Sequence, residues 1–463
     1  MAKTNVSLTL TAVPSATPVP TKTVTHSTST PTHLPVATAT ATFLPSLHVT
    51  ETSEIFPLDN LRMAYIADGN LYVQDGNNTP KKLSNTGNDI PHMFSNDGEI
   101  IVLYDWHDDN SVFSVKADGS QKQEIITKTW LDTLGDETKA GRLTFIPNTY
   151  QALFNTYLCP EYDPSLGSDR GCTVGLFLVD TDTGEIKEII APTLRGTLPF
   201  NGDARWLNDF SISPNGKFLA VSRLGHIDIF DMNGEMIHTN VIEYLPGMPC
   251  ELYAKVYWFP DSSGMIVALP IEDEYVGPGY SGAPKYSIWR YTFDESAATQ
   301  IPLDPAPVWM NILSNDVISI SPNRERAIYF TNDSKLYSAN LLNGNTELLT
   351  PVTLSFLPHQ WSLDSAYFSD TEISHRSVIG SASIDSALNY IFYLKSYFKG
   401  WIGERRFIYF HSLASVDVMD TMDTHVFVGE INNDTLLSYE SNITITIPSL
   451  TSLNHLIYII IDK

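Results

Sequence analysis

The stretch SISPNGKFLAVSRLGHIDIFDMNGE, residues 211–235, decides the fold of this chain. Two short apolar runs at 218–221 and 227–230 are rich in aromatic and β-branched residues, and Gly and Asn punctuate them, as in strands joined by hairpins. Asn215-Gly216 and Asn233-Gly234 supply residues that tolerate positive φ angles, which tight hairpin turns require. No apolar face recurs at helical spacing across these breaks, so the stretch predicts antiparallel β structure.

The same unit recurs along the chain, which indicates a repeat architecture. Each copy has an apolar run, a turn, a second apolar run and a third run that ends in a polar turn. Further copies lie at 93–120, 143–185, 257–296 and 318–345, and partial copies lie at 62–76, 360–368 and 400–410. A fourth strand, such as 185–190 or 346–350, makes each unit a four-stranded antiparallel meander.

Radial repetition of such meanders is a β-propeller, which protects most sheet edges. The sequence therefore predicts an all-β propeller of four-stranded antiparallel blades over residues 56–463, with seven or eight blades favoured and six as the alternative. The first copy lacks its leading strand. The run LIYIIID, residues 456–462, is predicted to supply it beside Met63–Ile66 and so to close the ring.

The copies resemble the TolB-type, WD-repeat-like propeller repeat, whose pattern is W-S-P-D-G, an apolar strand and a strand that ends in D-G. The resemblance covers nearly everything after residue 60. It rests on Ser213-Pro214-Asn215-Gly216, Phe259-Pro260-Asp261-Ser262, Ser321-Pro322-Asn323 and Asp118-Gly119-Ser120. These residues make turns and say almost nothing about chemistry. The resemblance implies protein-interaction work within a bacterial cell envelope.

Charge and composition narrow the choice of partners and location. A formal net charge of −25 argues against nucleic-acid partners, and no apolar run is long enough for a transmembrane segment. Residues 1–55 are predicted to be a disordered Ser/Thr/Pro-rich linker or stalk, the alternative being a disordered terminus without a role. Because a stalk should be tethered, we expect a signal or lipoprotein segment upstream of Met1 and an extracytoplasmic location, in the periplasm or at the cell surface.

The three cysteines are consistent with export. Cys159 and Cys172 bracket one loop, so in an exported protein they are expected to form a disulfide that leaves Cys250 as a free thiol. In a cytosolic protein they would be two thiols without a role. Three alkylatable thiols in protein purified without reductant would contradict the disulfide.

Few motifs carry chemistry. GPGYSG at 277–282 matches a dinucleotide fingerprint by letter, but it contains a Pro and lacks a following helix, so it is interpreted as accidental. Asp105, His107, Asp108 and Asp109 lie in one loop and are weak candidates for a Ca²⁺ site, although a solvated acidic loop is the favoured interpretation. No other cofactor and no catalytic residue is predicted. Trp258, Trp361 and Trp401 occupy equivalent repeat positions and are predicted to pack between blades.

Geometry indicates which end of the propeller binds. In an antiparallel meander the first–second and third–fourth strand turns share one end, here the turn face. The second–third and fourth–first connections share the opposite end, the loop face, and are long, which is where binding sites are usually built. The binding candidates on the loop face are Trp106, Tyr162, Glu272, Asp273, Glu274, Tyr275 and Tyr280. The sequence thus favours a non-catalytic scaffold for a protein or glycan partner in the cell envelope; the alternative is a propeller hydrolase or lactonase with a metal in the central channel.

Overall fold

The computed structural model of the 463-residue chain divides into two units, Met1–Leu47 and His48–Lys463, and every residue described below belongs to the second. The described residues are 50–51, 61–67, 70–76, 78–85, 89–105, 111–158, 173–194, 210–223, 226–244, 254–271, 285–295, 297–308, 318–331, 335–349, 360–372, 376–381, 389–394, 397–402, 404–412, 422–432, 435–447 and 457–462.

These residues form strands almost throughout. The strands are β1 (Thr50–Glu51), β2 (Leu61–Ala67), β3 (Asn70–Asp75), β4 (Lys81–Lys82), β5 (Asp89–Phe94), β6 (Ile100–Asp105), β7 (Val112–Lys116), β8 (Gln123–Ile126), β9 (Lys139–Phe145), β10 (Gln151–Leu158), β11 (Thr173–Asp180), β12 (Ile186–Leu194), β13 (Phe210–Ile212), β14 (Phe218–Arg223), β15 (His226–Asp231), β16 (Met236–Glu243), β17 (Lys255–Trp258), β18 (Gly264–Pro270), β19 (Tyr286–Thr292), β20 (Thr299–Ile301), β21 (Ile318–Ile320), β22 (Arg326–Phe330), β23 (Leu336–Asn340), β24 (Thr346–Leu348), β25 (Gln360–Trp361), β26 (Tyr367–Glu372), β27 (Arg376–Ser381), β28 (Asn389–Leu394), β29 (Tyr397–Trp401), β30 (Arg406–Ser412), β31 (Met422–Asn432), β32 (Thr435–Ile447) and β33 (Ile457–Asp462). A short helix, α1 (Lys128–Asp132), lies between β8 and β9. No helix in the described ranges has the length and apolar character needed to cross a membrane.

Within these ranges the strands form seven four-stranded sheets and one five-stranded sheet, and the predicted all-β propeller is confirmed. Blade 1 has the strand order β33-β2-β3-β4; blades 2 to 7 are β5–β8, β9–β12, β13–β16, β17–β20, β21–β24 and β25–β28. The five-stranded sheet contains β29–β32 and, parallel to β32, the two-residue strand β1, in which Thr50 pairs with Leu437. The first strands of neighbouring blades contact each other; β13, for example, contacts β17. The first strands therefore line the central channel.

The predicted ring closure is also confirmed. β33 pairs antiparallel with β2, with Ile460 opposite Met63 and Asp462 opposite Leu61. The last strand of the chain is therefore the first strand of blade 1, and the strand order of that blade combines both ends of the propeller. This arrangement removes two unpaired sheet edges at once.

The recurring Ser-x-Asn/Asp turn has a direct structural cause. Ser213 donates through Oγ to Asn215 Oδ1 at 2.8 Å and accepts from the Phe218 amide at 2.9 Å, so one hydroxyl bridges both sides of the turn. Ser213 lies in blade 4, and the same Ser-to-carboxyl or Ser-to-amide bond, 2.6–2.7 Å long, recurs in blades 2, 6 and 7. These turns occupy the turn face, and they explain why the sequence repeat is visible at all.

In blade 2 the turn residue is ionisable. Partial burial acts to raise the pKa of Asp97, but hydrogen bonds from Ser95 and Tyr150 outweigh it, and the pKa lies below its ordinary value. The Tyr150 hydroxyl donates to Asp97 Oδ2 at 2.7 Å from blade 3. The charged carboxylate is therefore the form that holds this turn.

Neighbouring turns are bonded to each other across blades. Ser262 adopts a φ of +63° and Ser365 a φ of +62°, in the left-handed region that favours Gly. Their hydroxyls accept from the backbone amides of Asn215 at 3.0 Å and Asn323 at 3.1 Å in the preceding blades. These inter-blade hydrogen bonds offset the backbone cost of a side chain at a position where blades 2 and 4 have Gly98 and Gly216.

The predicted blade-packing role of the tryptophans is confirmed. The indole nitrogens of Trp258 and Trp361 donate to the carbonyl oxygens of Ser211 and Ser319 in the first strand of the preceding blade, at 3.1 and 3.3 Å. The indole nitrogen of Trp401, in β29 of the five-stranded sheet, donates to the Gln360 carbonyl oxygen in the first strand of blade 7 at 3.1 Å. Trp258 and Trp361 are buried. Apolar clusters lie between consecutive blades, so the core is distributed around the ring.

Candidate binding site at the central channel

Most of the site residues predicted from sequence lie outside the described residues. This holds for Trp106, His107, Asp108 and Asp109, for Cys159, Tyr162, Cys172 and Cys250, and for Glu272, Asp273, Glu274, Tyr275 and Tyr280. The backbone of Asp105 ends β6 opposite Asp89, while its side chain is outside the described part. The metal site, the disulfide and the acidic binding surface remain predictions. Among the described residues, no group of three or more His, Cys, Asp or Glu side chains is arranged to hold a metal ion.

A pocket of about 270 Å³ opens among the first strands of blades 3, 4 and 5. It is lined by Arg142, Phe210, Ser211, Ser222, Lys255, Val256 and Tyr257. Phe210 begins β13 and Lys255 begins β17, directly after the connections 195–209 and 244–254. The pocket therefore lies at the loop-face end of these channel-lining strands, the end that the meander geometry selected for binding.

A β-bulge places Arg142 at the pocket wall. Leu143 of β9 pairs with Phe154 of β10, and Ala140 of β9 pairs with Thr156 of β10. Between these two pairs, Gly141 and Arg142 together face one residue, Asn155. Ala140 and Leu143 both lie in the same apolar core. In a regular strand two residues three positions apart would point to opposite faces, so the extra residue of the bulge is what lets both face that core. The bulge turns Arg142 out of that core.

Blade 4 holds the guanidinium once the bulge has turned it. Arg142 Nη1 donates to the Phe210 carbonyl oxygen at 3.2 Å. The guanidinium carbon lies 5.3 Å from the centroid of the Phe210 ring, within cation–π range. These two contacts fix a planar cation between blades 3 and 4.

The bulge itself is tightly packed. A Cβ on Gly141 would lie 2.6 Å from Asn155 Oδ1, so a larger residue there would require the buried Asn155 side chain to shift. The Tyr104 hydroxyl donates to the Gly141 carbonyl oxygen at 3.0 Å, and burial raises the pKa of Tyr104, which keeps the phenol a donor. Asn155 is 1% exposed, and neither atom of its amide has a hydrogen-bond partner in the described part of the chain. A buried amide of this kind is costly, and such costs concentrate at functional sites.

The other walls are fixed by side-chain bonds to the main chain. Buried Ser222 donates to the Ala254 carbonyl oxygen at 3.3 Å, immediately before Lys255. The Tyr257 hydroxyl donates to the Ile318 carbonyl oxygen at 3.2 Å and so joins blade 5 to blade 6. Together with the Trp258 indole bond to blade 4, these contacts make the pocket part of a rigid scaffold.

The charge of the pocket was missed from sequence. Its described lining contains two cationic side chains and no Asp or Glu, in a chain with a formal net charge of −25. One signal was present: Arg142 and Lys255 both stand three residues before the equivalent aromatic residues Phe145 and Trp258. The spacing becomes informative only when the blades are aligned, because Phe145 and Trp258 then occupy the same position in their first strands and the two cations lie at the same height along the channel.

No protein-family model and no curated protein matches this chain. Among solved structures, an oligogalacturonate lyase in complex with manganese is 12% identical, covers 71% of this chain and 93% of its own, and has a TM-score of 0.43. Kluyveromyces lactis Hsv2p is 12% identical, with 77% of this chain and 98% of its own covered and a TM-score of 0.42. A prolyl endopeptidase is 16% identical over 81% of this chain and 55% of its own, with a TM-score of 0.43. What this chain shares with them is the β-propeller architecture; these likenesses carry no argument about its chemistry.

Proposed function

We propose that this protein is a non-catalytic β-propeller that binds a protein or glycan partner through its loop face. The observation that carries the proposal is the position of the pocket, which is lined by the first residues of β13 and β17, where the connections 195–209 and 244–254 end. A concave site on rigid strands, bordered by long connections, is the usual arrangement of a binding scaffold.

The acidic and aromatic residues of the long connections are proposed to contact the same partner. Carboxylates such as Asp108 and Glu272 attract cationic groups at long range, and aromatic residues such as Trp106 and Tyr275 supply contact area. The TolB-type resemblance and the Thr/Pro-rich segment support a tethered role in the cell envelope. A location in the cell envelope and a tether formed by the Thr/Pro-rich segment are therefore parts of the proposal.

Surface plasmon resonance with the immobilised full chain tests it. Envelope extract is divided into a protein fraction and a protease-treated glycan fraction, and each is passed over wild type and two variants. The loop-face variant replaces Asp108, Asp109, Glu272, Asp273 and Glu274 with Asn or Ser. The matched turn-face variant replaces five exposed carboxylates, Asp182, Glu185, Glu235, Asp294 and Glu295, in the third–fourth strand turns of blades 3 to 5.

The loop-face variant should bind one fraction more weakly at an unchanged melting temperature, and the turn-face variant should bind as wild type does. Raising the ionic strength to the physiological value should slow association more than it accelerates dissociation. If the turn-face changes abolish binding and the loop-face changes do not, the wrong end of the propeller has been chosen. If neither fraction binds wild type, the scaffold proposal is wrong.

A further inference from the structure

We infer that Asn233 is a site of spontaneous covalent modification, where attack by the Gly234 nitrogen converts the side-chain amide to an aspartyl or isoaspartyl group. Asn233 and Gly234 lie in the turn between β15 and β16 of blade 4, on the turn face. A Gly after an Asn favours this attack because no side chain shields the backbone nitrogen. No residue of the loop face takes part in the reaction, which therefore goes beyond the proposed function.

The reaction needs water as its only other reactant. The Gly234 nitrogen forms a bond to Cγ of Asn233, the Cγ–Nδ2 bond breaks, and Nδ2 leaves as ammonia with the proton of the Gly234 N–H. The product is a cyclic imide. Water then opens the ring at either of its carbonyl groups, which gives an aspartyl or an isoaspartyl residue at this position.

Blade 4 contains two Asn-Gly turns with matching backbones. Gly234 N donates to the Asp231 carbonyl oxygen at 3.1 Å. In the other turn Gly216 N donates to the Ser213 carbonyl oxygen at 2.8 Å, again three residues earlier. The φ angles of Gly234 and Gly216 are +86° and +69°, and the preceding Asn is exposed in both turns. A difference in reactivity between the two turns therefore comes from the side chains around each amide.

Two charged side chains contact the amide of Asn233. Lys187, in β12 of blade 3, donates from Nζ to Asn233 Oδ1 at 3.2 Å, and Asn233 Nδ2 donates to Asp231 Oδ2 at 3.3 Å. Attack on Cγ places negative charge on Oδ1, where the ammonium group stabilises it as the donors of an oxyanion hole do. The carboxylate stabilises the nitrogen that takes up a proton and leaves. The hydrogen bond from the Glu235 amide is the main reason that the pKa of Asp231 is lowered, so this carboxylate is charged.

The amide of Asn215 has different surroundings. Its Oδ1 accepts from Ser213 Oγ at 2.8 Å and from the Lys217 amide at 3.0 Å, and both donors are neutral groups of the same turn. Rotating this side chain towards the nitrogen of the next residue breaks both bonds, whereas at Asn233 the flexible lysine side chain follows the oxygen. Asn215 is therefore the slower of the two sites.

The lysine itself is not expected to be the nucleophile. Attack of Lys187 Nζ on Cγ of Asn233 would also release ammonia and would join blades 3 and 4 by an amide cross-link. Because Lys187 is exposed, its amine is a hydrated ammonium group without a free electron pair for the attack. Its role is to polarise the amide that the Gly234 nitrogen attacks.

The modification has a structural consequence at the boundary of blades 3 and 4. A Cβ on Gly234 would lie 2.1 Å from the Ile189 carbonyl oxygen of β12, so the turn packs directly against that strand. An isoaspartyl residue lengthens the backbone of the turn by one carbon atom, for which this contact leaves no room. The modified turn is therefore expected to separate from blade 3, which faster hydrogen exchange of the Glu235 amide would report.

Peptide mapping of the full chain by mass spectrometry tests the inference. The folded protein is incubated at neutral pH and digested at intervals, and the amide and acid forms of each Asn peptide are quantified by mass. Chromatography separates the aspartyl from the isoaspartyl form. We expect Asn233 to convert at least about tenfold faster than Asn215, because two hydrogen bonds hold the Asn215 side chain. Both products should form from Asn233, because the imide ring opens at either carbonyl group.

Variants measure the contribution of Lys187. Lys187→Met should slow the conversion of Asn233 about threefold, since an exposed cation contributes little, and Lys187→Arg should convert nearly as wild type does because it keeps the charge. Lys217→Met is the matched control. It removes an exposed cation from the same blade and keeps the backbone amide that bonds Asn215, so both rates should stay unchanged.

Three results would overturn the inference: equal rates at Asn233 and Asn215, an unchanged rate at Asn233 in Lys187→Met, or a stable cross-link between peptides that contain Lys187 and Asn233. The first would mean that the surrounding side chains do not decide the rate, and the second that the cation does not act on the amide. The third would identify the lysine as the nucleophile. None of them bears on partner binding at the loop face.

Discussion

Replacing Arg62 should destabilise the closed ring more than replacing Glu99, the more exposed of its two acidic partners. Arg62 lies in β2, the strand that pairs with the closing strand β33, and its side chain is only 8% exposed. It donates to both carboxylate oxygens of Asp75 at 2.5 and 2.8 Å, and across the blade boundary to the Gly98 carbonyl at 2.8 Å and Glu99 at 3.0 Å. The hydrogen bond with Asp75 is the main reason that the pKa of Arg62 is raised, so the guanidinium stays charged under all assay conditions.

The expected size follows from what each substitution leaves behind. Breaking a buried ion pair costs about 3–5 kcal/mol when one charge stays buried without a partner. Asp75 and Glu99 are 41% and 53% exposed, so water rehydrates them and the cost of Arg62→Met falls to about 3 kcal/mol. For Glu99→Gln we expect at most about 1 kcal/mol, because an exposed partner of an ion pair contributes little.

Urea unfolding followed by tryptophan fluorescence measures the two free energies, and amide hydrogen exchange locates the change. In Arg62→Met the amides of β33 and β2 should exchange faster than those of blades 4 and 5, since the loss lies beside the ring closure. Equal destabilisation by Arg62→Met and Glu99→Gln would refute the argument that burial of the guanidinium decides the cost. So would uniform acceleration of exchange around the ring.

Four further outcomes follow from the turns, the closure and the bulge. A carboxyl with a depressed pKa contributes stability above its unfolded pKa of about 4 and loses it as pH falls through the folded value, so Asp97→Asn should flatten the decline in unfolding free energy measured by acid titration. Ser262→Ala keeps the left-handed backbone but loses the hydrogen bond from the Asn215 amide, so urea unfolding should show a fall of about 1 kcal/mol in the free energy of unfolding. Ser262→Gly loses the same bond but adopts the left-handed conformation without steric cost, so it should be about 1 kcal/mol more stable than the Ala variant. Deleting 457–463 should lower the melting temperature sharply, because blade 1 then lacks its first strand; calorimetry at the wild-type value would contradict closure. Asn155→Leu, nearly isosteric, should raise the unfolding free energy by about 1–3 kcal/mol by removing an unpaired buried amide, and a fall instead would mean that the amide is satisfied in solution.

The sequence by itself was sufficient for the architecture, since the relevant signals are local. Alternating apolar runs, Gly at positive φ and the Ser-x-Asn/Asp turn each act within a few residues, and their repetition specifies one blade after another. Even the closure of the ring could be predicted, because a first copy without a leading strand and a final apolar run complement each other. The roles of Trp258, Trp361 and Trp401 followed from their shared place in the repeat.

The site was decided by tertiary structure alone. Arg142 and Lys255 are over a hundred positions apart in the chain and share only their three-residue distance from Phe145 and Trp258. They line one pocket because blades 3, 4 and 5 place their first strands side by side. Sequence reasoning sought function in the charge of the long connections, where acidic residues are dense, and so overlooked Arg142 and Lys255, which lie in strands. The sequence signal of the bulge is a single Gly inside a strand, Gly141, which marks a possible bulge but not which side chains it redirects. That depends on how β9 pairs with β10 while Leu143 and Ala140 stay in one core. Local periodicity can specify a strand, but which side chains share a pocket depends on pairings between strands that no single stretch contains.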